Sequence, residues 1–422
     1  MYITILCKVV DNFGDIGVAW RLCRRLTKIQ SKYKICLVVD DLEAFAKIED
    51  RLPRRYAPRN DGEFVIASVA KQSIAIDNIE IFPWNNEELC HEVFSQNDGE
   101  RLSLILELFQ CGRPDWMERI LFEEKLQRTV QIIMIDYLTA EKYAEDFHCL
   151  QSLTRSAKVQ KVNFMPGFTE KTGGLVIDDQ WQELPVWNKD GPVLIFTYEG
   201  DWRSLLEGWL SSPKGVSKPH STPRILVAQG RGKESFMTAV RKVVECSRSE
   251  CIETNFVEEL PYLNQSEWDR VMKSCSALVI RGEESMSRAC LSGIPFIWHA
   301  YPQSDEYQLV KVKALLERMR PHFDEEDFDI ISKAWLEING ETWIATPSAR
   351  NDKADEPATP SVRNDGTDSS LRGVQRRSNP YNQFFSSIPR LVSGFRDFAA
   401  SLRKNGDLAY NLMTYIEKLD II

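Results

Sequence analysis

The amino-acid sequence predicts an α/β protein with two domains, each built on a parallel sheet flanked by helices. Three observations support this prediction. Short apolar runs alternate with segments of helical periodicity, the alternation restarts once in the second half of the chain, and small or charged residues follow the apolar runs. Because open parallel sheets bind ligands at the carboxyl ends of their strands, we expect two sheets that face each other across a ligand-binding cleft.

The composition limits the classes of partner. The chain has 422 residues, 43% apolar and 27% charged, which at roughly 150 residues per domain allows two or three domains with real cores. Lys and Arg number 53 against 62 Asp and Glu, a net charge of −9, so we expect neither a nucleic-acid nor a membrane partner. No apolar run reaches the length of a membrane span, and the first residues do not resemble a signal peptide, which indicates a cytoplasmic protein.

The apolar runs mark the predicted strands. Residues 2–10 (YITILCKVV) end in the turn DNFGDIG, and the spacing of Val18, Leu22, Leu26 and Ile29 then predicts a helix with one buried face. Further strands are predicted at 35–41, 102–109 and 130–138 in the first domain (1–183), and at 193–199, 224–230, 276–285 and 294–300 in the second (184–394). The amphipathic residues 395–422 predict a helix that packs back on the first domain.

Two segments interrupt this alternation. Residues 346–380 contain no Ile, Phe, Met, Trp or Tyr, so they bury too little apolar area to offset the entropy of ordering, and we predict a disordered loop. Residues 51–74 have a similar character, and the tetrapeptide RNDG occurs in both segments. They are either translated repeat elements or ordinary surface loops, and in both cases we expect them to lie outside the active site.

Two carboxylates lie in the turn after the first strand. Asp11 and Asp15 stand four residues apart beside Gly14 and Gly17, which allow close backbone approach. Such a pair suits general acid–base chemistry, but one Asp could equally cap the following helix. A dinucleotide site is a third interpretation; it is disfavoured because the G-x-G-x-x-G pattern is incomplete and Asp15 would repel a pyrophosphate.

A second motif follows the predicted strand that ends in SALVI. Arg281, Gly282, Glu283, Glu284 and Ser285 stand between this strand and a helical segment. Free backbone N–H groups at a helix start, with an arginine beside them, predict a diphosphate site. The alternative is an ordinary helix cap with exposed charges.

Aromatic residues accumulate at strand ends of the second domain. Phe196, Tyr198, Tyr262 and Trp268 could stack on a flat base, with core packing as the alternative. The ten cysteines form no C-x-x-C pair and only five histidines are present, so we expect no bound metal.

These motifs together resemble one enzyme family. The segments that carry the resemblance are DNFGDIGVAWRL (11–22), IDYLTAEKYAEDFHCL (135–150), NFMPGFTEKTGGLV (163–176), FTYE (196–199), LPYL (260–263), IRGEES (280–285) and PFIWHAYPQSDEYQLVK (295–311). They span most of the chain apart from the two interrupting segments, and they are similar to the elongation factor P arginine rhamnosyltransferases (EarP). The resemblance implies a GT-B fold of two Rossmann-like domains. It further implies inverting transfer of L-rhamnose from dTDP-β-L-rhamnose to an arginine of elongation factor P, which relieves ribosome stalling at polyproline, without a cofactor or metal.

The resemblance also implies the roles of the site residues. The implied catalytic residues are Asp11, Asp15 and Glu283. The implied donor-binding residues are Phe196, Tyr198, Tyr262, Gln265, Trp268, Arg281, Gly282, Glu284 and Ser285, and the implied acceptor side consists of Asn12, Phe13, Gly14 and Gly17. Glu284 stands where the family has Asp, and Tyr262 where it has Phe, so a negative charge and a stacking face are kept.

Two other functions stay open. A catalytically weakened relative that only binds elongation factor P is suggested by the two interrupting segments and by Glu284. An NAD-dependent nucleotide-sugar enzyme is the other alternative, and the incomplete glycine pattern speaks against it.

Overall fold

Two parallel sheets organise the chain in the computed structural model, which describes residues 1–10, 13–49, 74–124, 126–213, 225–246, 256–341 and 379–419. Most of the two interrupting segments therefore lies outside the described residues. Three of their last residues are described: Ile74 begins a strand, and Asn379 and Pro380 begin a helix. Asn379 caps that helix by accepting a bond from the backbone N–H of Tyr381, so the last two residues of the predicted loop belong to the start of this helix.

The first lobe is an eight-stranded sheet with helices on both faces. Its elements are β1 (Tyr2–Cys7), α1 (Gly14–Ile29), β2 (Lys34–Val39), α2 (Leu42–Ile48), β3 (Ile74–Ile76), β4 (Ile79–Pro83), α3 (Glu87–Gly99), β5 (Leu104–Leu108), α4 (Asp115–Phe122), β6 (Val130–Ile135), α5 (Tyr143–Phe147), β7 (Gln151–Ser152) and β8 (Val159–Phe164). The strand order is β3-β4-β2-β1-β5-β6-β8-β7, and the edge strands β3 and β7 pair antiparallel with their neighbours. Two apolar cores cover the two faces, which is why the central strands read as continuous apolar runs.

The second lobe is a five-stranded, fully parallel sheet. Its elements are β9 (Val193–Ile195), α6 (Arg203–Leu210), β10 (Ile225–Val227), α7 (Lys233–Cys246), β11 (Val257–Glu259), α8 (Gln265–Ser274), β12 (Ala277–Arg281), α9 (Glu283–Ser292), β13 (Phe296–His299), α10 (Tyr307–Met319) and α11 (Glu325–Ile338). The strand order is β11-β10-β9-β12-β13. The predicted α/β fold with two parallel sheets is confirmed.

Strand order reverses once in each sheet, next to the strand that comes first in the chain. In the first lobe the reversal lies between β1 and β5, and in the second between β9 and β12. Loops from the two neighbouring strands leave in opposite directions at such a point, which opens a crevice where open α/β sheets bind ligands. Each lobe therefore has one such crevice, at the carboxyl ends of its central strands, where a ligand would be expected.

Two helices close the described chain. α12 (Pro380–Lys404) packs on α6, α9 and α11 of the second lobe, and α13 (Leu408–Glu417) packs on α1 of the first. The predicted boundary at 394/395 falls inside α12, so the return to the first lobe occurs at α13. Across the described parts of the chain, no helix is long and apolar enough to cross a membrane.

Candidate active site between the lobes

A cavity of about 630 Å³ lies between the lobes, where the two strand-order reversals meet. The predicted site residues that line it are Phe13, Gly14, Asp15, Gly17, Phe196, Tyr198, Tyr262, Gln265, Trp268, Arg281, Gly282, Glu283, Glu284 and Ser285. Asp11 and Asn12 lie outside the described residues. The structure thus gathers motifs from both halves of the chain into one cavity.

Asp15 lies in the first turn of α1 and is 3% exposed. The N-cap residue of this helix is Phe13, which makes no side-chain capping bond, so the capping alternative is wrong for Asp15. The Asp15 Oδ2 atom instead accepts a hydrogen bond from the backbone N–H of Val10 at 2.8 Å. The positive end of the helix dipole favours an ionised carboxylate at this position.

Tyr137 is a site residue that the motifs did not single out. Burial, with the negative charges of Asp15 and Glu283 and hydrogen bonding towards Asp15, raises the pKa of Tyr137 well above its usual value. Asp15 belongs to the first lobe and Glu283 to the second, so Tyr137 marks where acids of the two lobes converge. Its position at the carboxyl end of a predicted strand, 130–138, was the signal that could have found it.

The Tyr137 ring stacks on the ring of Phe109. The ring centroids are 4.6 Å apart and the angle between the ring planes is 22°. Phe109 and Gln110 both adopt left-handed backbone angles, with φ of 55° and 54°. Such conformations cost about 1–3 kcal/mol in non-glycine residues and cluster at functional sites. The strained turn after β5 therefore lies against Tyr137 at the wall of the cavity.

Arg281 is the main cationic group on the second-lobe wall. It ends β12, and its guanidinium carbon lies 4.5 Å from the ring centre of Phe196 and 4.6 Å from that of Tyr198. Its Nε atom is buried and has no hydrogen-bond partner among the described residues. An unpaired buried donor is costly, so this geometry favours binding of an anion.

The start of α9 adds backbone donors beside Arg281. Gly282 is the N-cap residue, with φ of 71° and ψ of 160°, a conformation that is essentially restricted to glycine. The helix proper begins at Glu283, so the free N–H groups of its first turn adjoin the cavity. The predicted strand, turn and helix are thus present, and anion binding by them stays a prediction.

The aromatic residues occupy different positions rather than a parallel sandwich. Phe196 and Trp268 meet edge to face, with ring centres 5.0 Å apart and planes at 67°. Tyr198 is only 2% exposed and lies beneath Arg281, whereas Tyr262 is 69% exposed at the rim, where its ring contacts Phe13 edge to face. Phe196, Trp268 and Tyr262 thus line the cavity around its opening, and the ring of Tyr198 packs against Arg281.

Two predicted donor-binding side chains reach across to the first lobe. Gln265 Nε2 donates to the carbonyl oxygen of Gly17 at 2.7 Å, while its Oε1 is buried without a partner in the described residues. A Cβ atom at Gly17 would lie 3.3 Å from that Nε2, which explains the need for a small residue there. Glu284 Oε1 accepts from Nε of Arg21 on α1, a residue that the motifs also did not single out.

No group of three or more His, Cys, Asp or Glu side chains in the described ranges is arranged to hold a metal ion. Arg281 and Arg231 are among the positive groups that line the cavity, and Arg231 pairs with Glu199 at 3.1 Å.

Two Rossmann-type lobes with a cavity between them have the architecture of a GT-B glycosyltransferase. A family model described as Elongation-Factor P (EF-P) rhamnosyltransferase EarP matches residues 3–417, and the chain belongs to this family. The predicted GT-B fold and the predicted enzyme class are both confirmed.

Related proteins and a solved structure agree with this assignment. A protein-arginine rhamnosyltransferase of Shewanella oneidensis is 30% identical over 364 residues, covering 79% of this chain and 84% of that protein. One from Pseudomonas aeruginosa is 30% identical over 334 residues, covering 74% and 80%. A structure that reports EarP-mediated arginine glycosylation of translation elongation factor EF-P superposes with a TM-score of 0.51 at 17% identity, covering 99% of both chains; at this identity it supports the fold.

Proposed function

We propose that this chain transfers L-rhamnose from dTDP-β-L-rhamnose to an arginine side chain of elongation factor P. The observation that carries the proposal is that Asp15, in the first turn of α1, and Arg281 with the start of α9 line one cavity from the two lobes. Family membership supports the acceptor, because the family is described by its action on EF-P. A translation factor as acceptor implies action in the cytoplasm.

The acceptor side must activate a poor nucleophile. A guanidinium is fully protonated at neutral pH, and its nitrogen attacks only when a carboxylate orients it and accepts a proton as the new bond forms. Asp15 is the proposed acceptor of that proton, because Val10 and Tyr137 hold its carboxylate in place. Asp11, one residue beyond the described segment, is proposed as a second carboxylate for orientation.

The donor side must stabilise a leaving diphosphate. The guanidinium nitrogen attacks C1 of rhamnose as the bond from C1 to the phosphate oxygen breaks, so the configuration at C1 inverts and the electron pair remains on dTDP. Arg281 and the N–H groups at the start of α9 face this developing charge, so the transfer is proposed to need no metal. Phe196, Trp268 and Tyr262 contact the base, and the unpaired Gln265 Oε1 suits its imide N–H.

The proposal is tested by mapping the product. Purified chain, elongation factor P and dTDP-β-L-rhamnose are incubated with and without EDTA, and tandem mass spectrometry locates the modification. We expect one deoxyhexose on a single arginine in both conditions, none when that arginine is replaced by Lys, and little transfer from UDP-glucose. Binding of elongation factor P without modification would favour the non-catalytic alternative, and loss of transfer in EDTA would contradict the metal-free mechanism.

A further inference from the structure

We propose that Arg21 is a positioning residue that keeps the two lobes in the relative position that transfer requires. Glu284 then acts on the reaction through Arg21 rather than by contacting the donor. This inference rests on the proposed function. It concerns a cluster at the wall of the cavity, formed by Arg21 of α1, Asp178 of the segment between the lobes, Asp269 of α8 and Glu284 of α9. Arg288 lies 3.6 Å from Glu284 at the edge of this cluster.

All three nitrogen atoms of the Arg21 guanidinium donate hydrogen bonds. Nε donates to Glu284 Oε1, Nη1 donates to Asp178 at 2.6 Å and to Asp269 Oδ2 at 2.8 Å, and Nη2 donates to Asp269 Oδ1 at 2.7 Å. The bidentate contact with Asp269 and the separate contact with Glu284 need planar donors pointing in different directions. A lysine at this position keeps the charge but offers one nitrogen, so it cannot hold three carboxylates in this geometry.

The cluster is buried at its centre, which makes its geometry specific. Arg21 is 4% exposed and Asp269 is fully buried. Burial opposes the charged form, but the carboxylates of Glu284, Asp269 and Asp178 outweigh it and keep the pKa of Arg21 above its usual value. Because an unpaired charge in such a place is strongly unfavourable, each member holds the others in position.

The cluster is joined to the reacting groups on both sides. Arg21 lies six residues after Asp15 on the same helix, and Glu284 directly follows Glu283 in the first turn of α9. Between these two helices, Gln265 donates to Gly17 at 2.7 Å. A shift of α9 relative to α1 therefore changes the distance between the proton-accepting carboxylate and the diphosphate site directly.

Other contacts keep the lobes together when Arg21 is changed. Tyr307 of α10 donates to Glu141 at 3.0 Å, and Arg318 contacts Glu145 at 2.8 Å, both across to the first lobe. Loss of the Arg21 fork is therefore expected to displace the lobes slightly instead of separating them. A misplacement of about 1 Å is enough to cost roughly 100-fold in rate.

Arg21→Lys tests the inference, with Arg25→Lys as the matched control. Arg25 lies one turn later on α1, and it pairs with Asp179 and Asp407 instead of a donor-site residue. We expect Arg21→Lys to lower kcat by roughly 100-fold while the calorimetric Kd for dTDP is unchanged, and we expect Arg25→Lys to keep both values. Wild-type kcat in Arg21→Lys, or equal losses in both variants, would overturn the inference.

Glu284→Gln supplies a second, milder change if Arg21→Lys fails to fold. We expect it to lower kcat without changing the Kd for dTDP, and we expect the Arg21→Lys/Glu284→Gln double variant to be no slower than Arg21→Lys alone. A weaker affinity for dTDP in Glu284→Gln, or multiplied losses in the double variant, would show that Glu284 contacts the donor and would overturn the inference.

Hydrogen–deuterium exchange separates failure of this inference from failure of the proposed function. If the wild-type chain does not modify elongation factor P, the proposed function fails, but the packing of α8 and α9 against Arg21 remains measurable. With dTDP present, we expect faster exchange of the α8 and α9 amides in Arg21→Lys than in the wild-type chain, and the wild-type exchange in Arg25→Lys. Equal exchange in all three proteins would overturn the positioning role.

Discussion

Replacing Asp15 by Asn removes the proposed proton acceptor with little change in shape. The Asn oxygen can still accept from the backbone N–H of Val10, which Asp15 accepts at 2.8 Å, and the amide can still bond the Tyr137 phenol. What is lost is a negative charge in the first turn of α1, worth about 0.3–1 kcal/mol with the helix dipole. For a domain of this size, we expect a fall in melting temperature of no more than about 4 °C.

The effect of Asp15→Asn on turnover is expected to be much larger. Loss of a general base costs about 10²- to 10⁴-fold, equivalent to about 3–5 kcal/mol of transition-state stabilisation. Affinity for dTDP should not change, because the proposed donor contacts lie on the second lobe. Single-turnover modification of elongation factor P, followed by intact mass, measures the rate, and calorimetry measures dTDP binding on the same preparation.

Asp40→Asn is the matched control for this experiment. Asp40 Oδ1 accepts from the backbone N–H of Val9 at 2.8 Å, next to the Val10 contact, but Asp40 does not line the cavity. We expect Asp40→Asn to keep wild-type turnover. Near wild-type turnover in folded Asp15→Asn protein, or an equal loss in Asp40→Asn, would refute the role of Asp15 as base.

Three further predictions concern the second lobe. Arg281→Ala removes a charge-assisted bond worth about 1.5–3 kcal/mol, so dTDP should bind roughly 10- to 150-fold more weakly by calorimetry; unchanged affinity would remove Arg281 from the donor site. Gly282→Ala forces a side chain into φ of 71°, and should lower stability by about 1–3 kcal/mol in urea titrations while weakening dTDP binding; wild-type values for both would show that the turn tolerates alanine. His299 accepts from the backbone N–H of Tyr198, and burial with the charge of Arg281 lowers its pKa to about 4. In the unfolded chain this histidine takes up its proton below about pH 6.5, whereas the folded chain keeps it neutral down to about pH 4. The free energy of unfolding should therefore fall by as much as about 3 kcal/mol as the pH is lowered from 6.5 to 4. An equal fall in His299→Gln would contradict this assignment.

Continuous apolar runs made the central strands predictable. β1, β5, β6, β9, β10, β12 and β13 lie within predicted runs, and β2 begins one residue before its predicted run, because strands covered on both faces need apolar residues at nearly every position. The ends were placed too late in several cases, since cavity residues such as Phe196 and Tyr198 continue the apolar pattern after the strand has ended. The edge strands β3, β7 and β11 escaped prediction because they are short and carry little apolar signal. The interior strands β4 and β8 escaped as well, because Glu80 and the polar residues of β8 interrupt their apolar runs.

The site was predictable where its residues are adjacent in the sequence, and not where folding alone brings them together. The turn at Asp15 and the motif at Arg281 were found because strand, turn and helix follow each other locally. Arg21 and Tyr137 do not belong to such a local motif. Arg21 contacts Asp269 of α8 only once the two lobes have come together, and from the sequence a single arginine in a helix would be predicted to lie at the surface. The basic spacing of Arg21, Arg25 and Lys28 on one face of α1 was the available signal, since all three pair with acids beyond the first sheet.

Rhamnosyl transfer to elongation factor P is tested most directly by the intact mass of that protein after incubation with the purified chain and dTDP-β-L-rhamnose. The structure and family membership lead us to expect a time-dependent gain of one deoxyhexosyl unit per molecule of elongation factor P, and release of one dTDP for each unit gained. An unchanged mass, with a folded chain that binds dTDP, would contradict the proposed function.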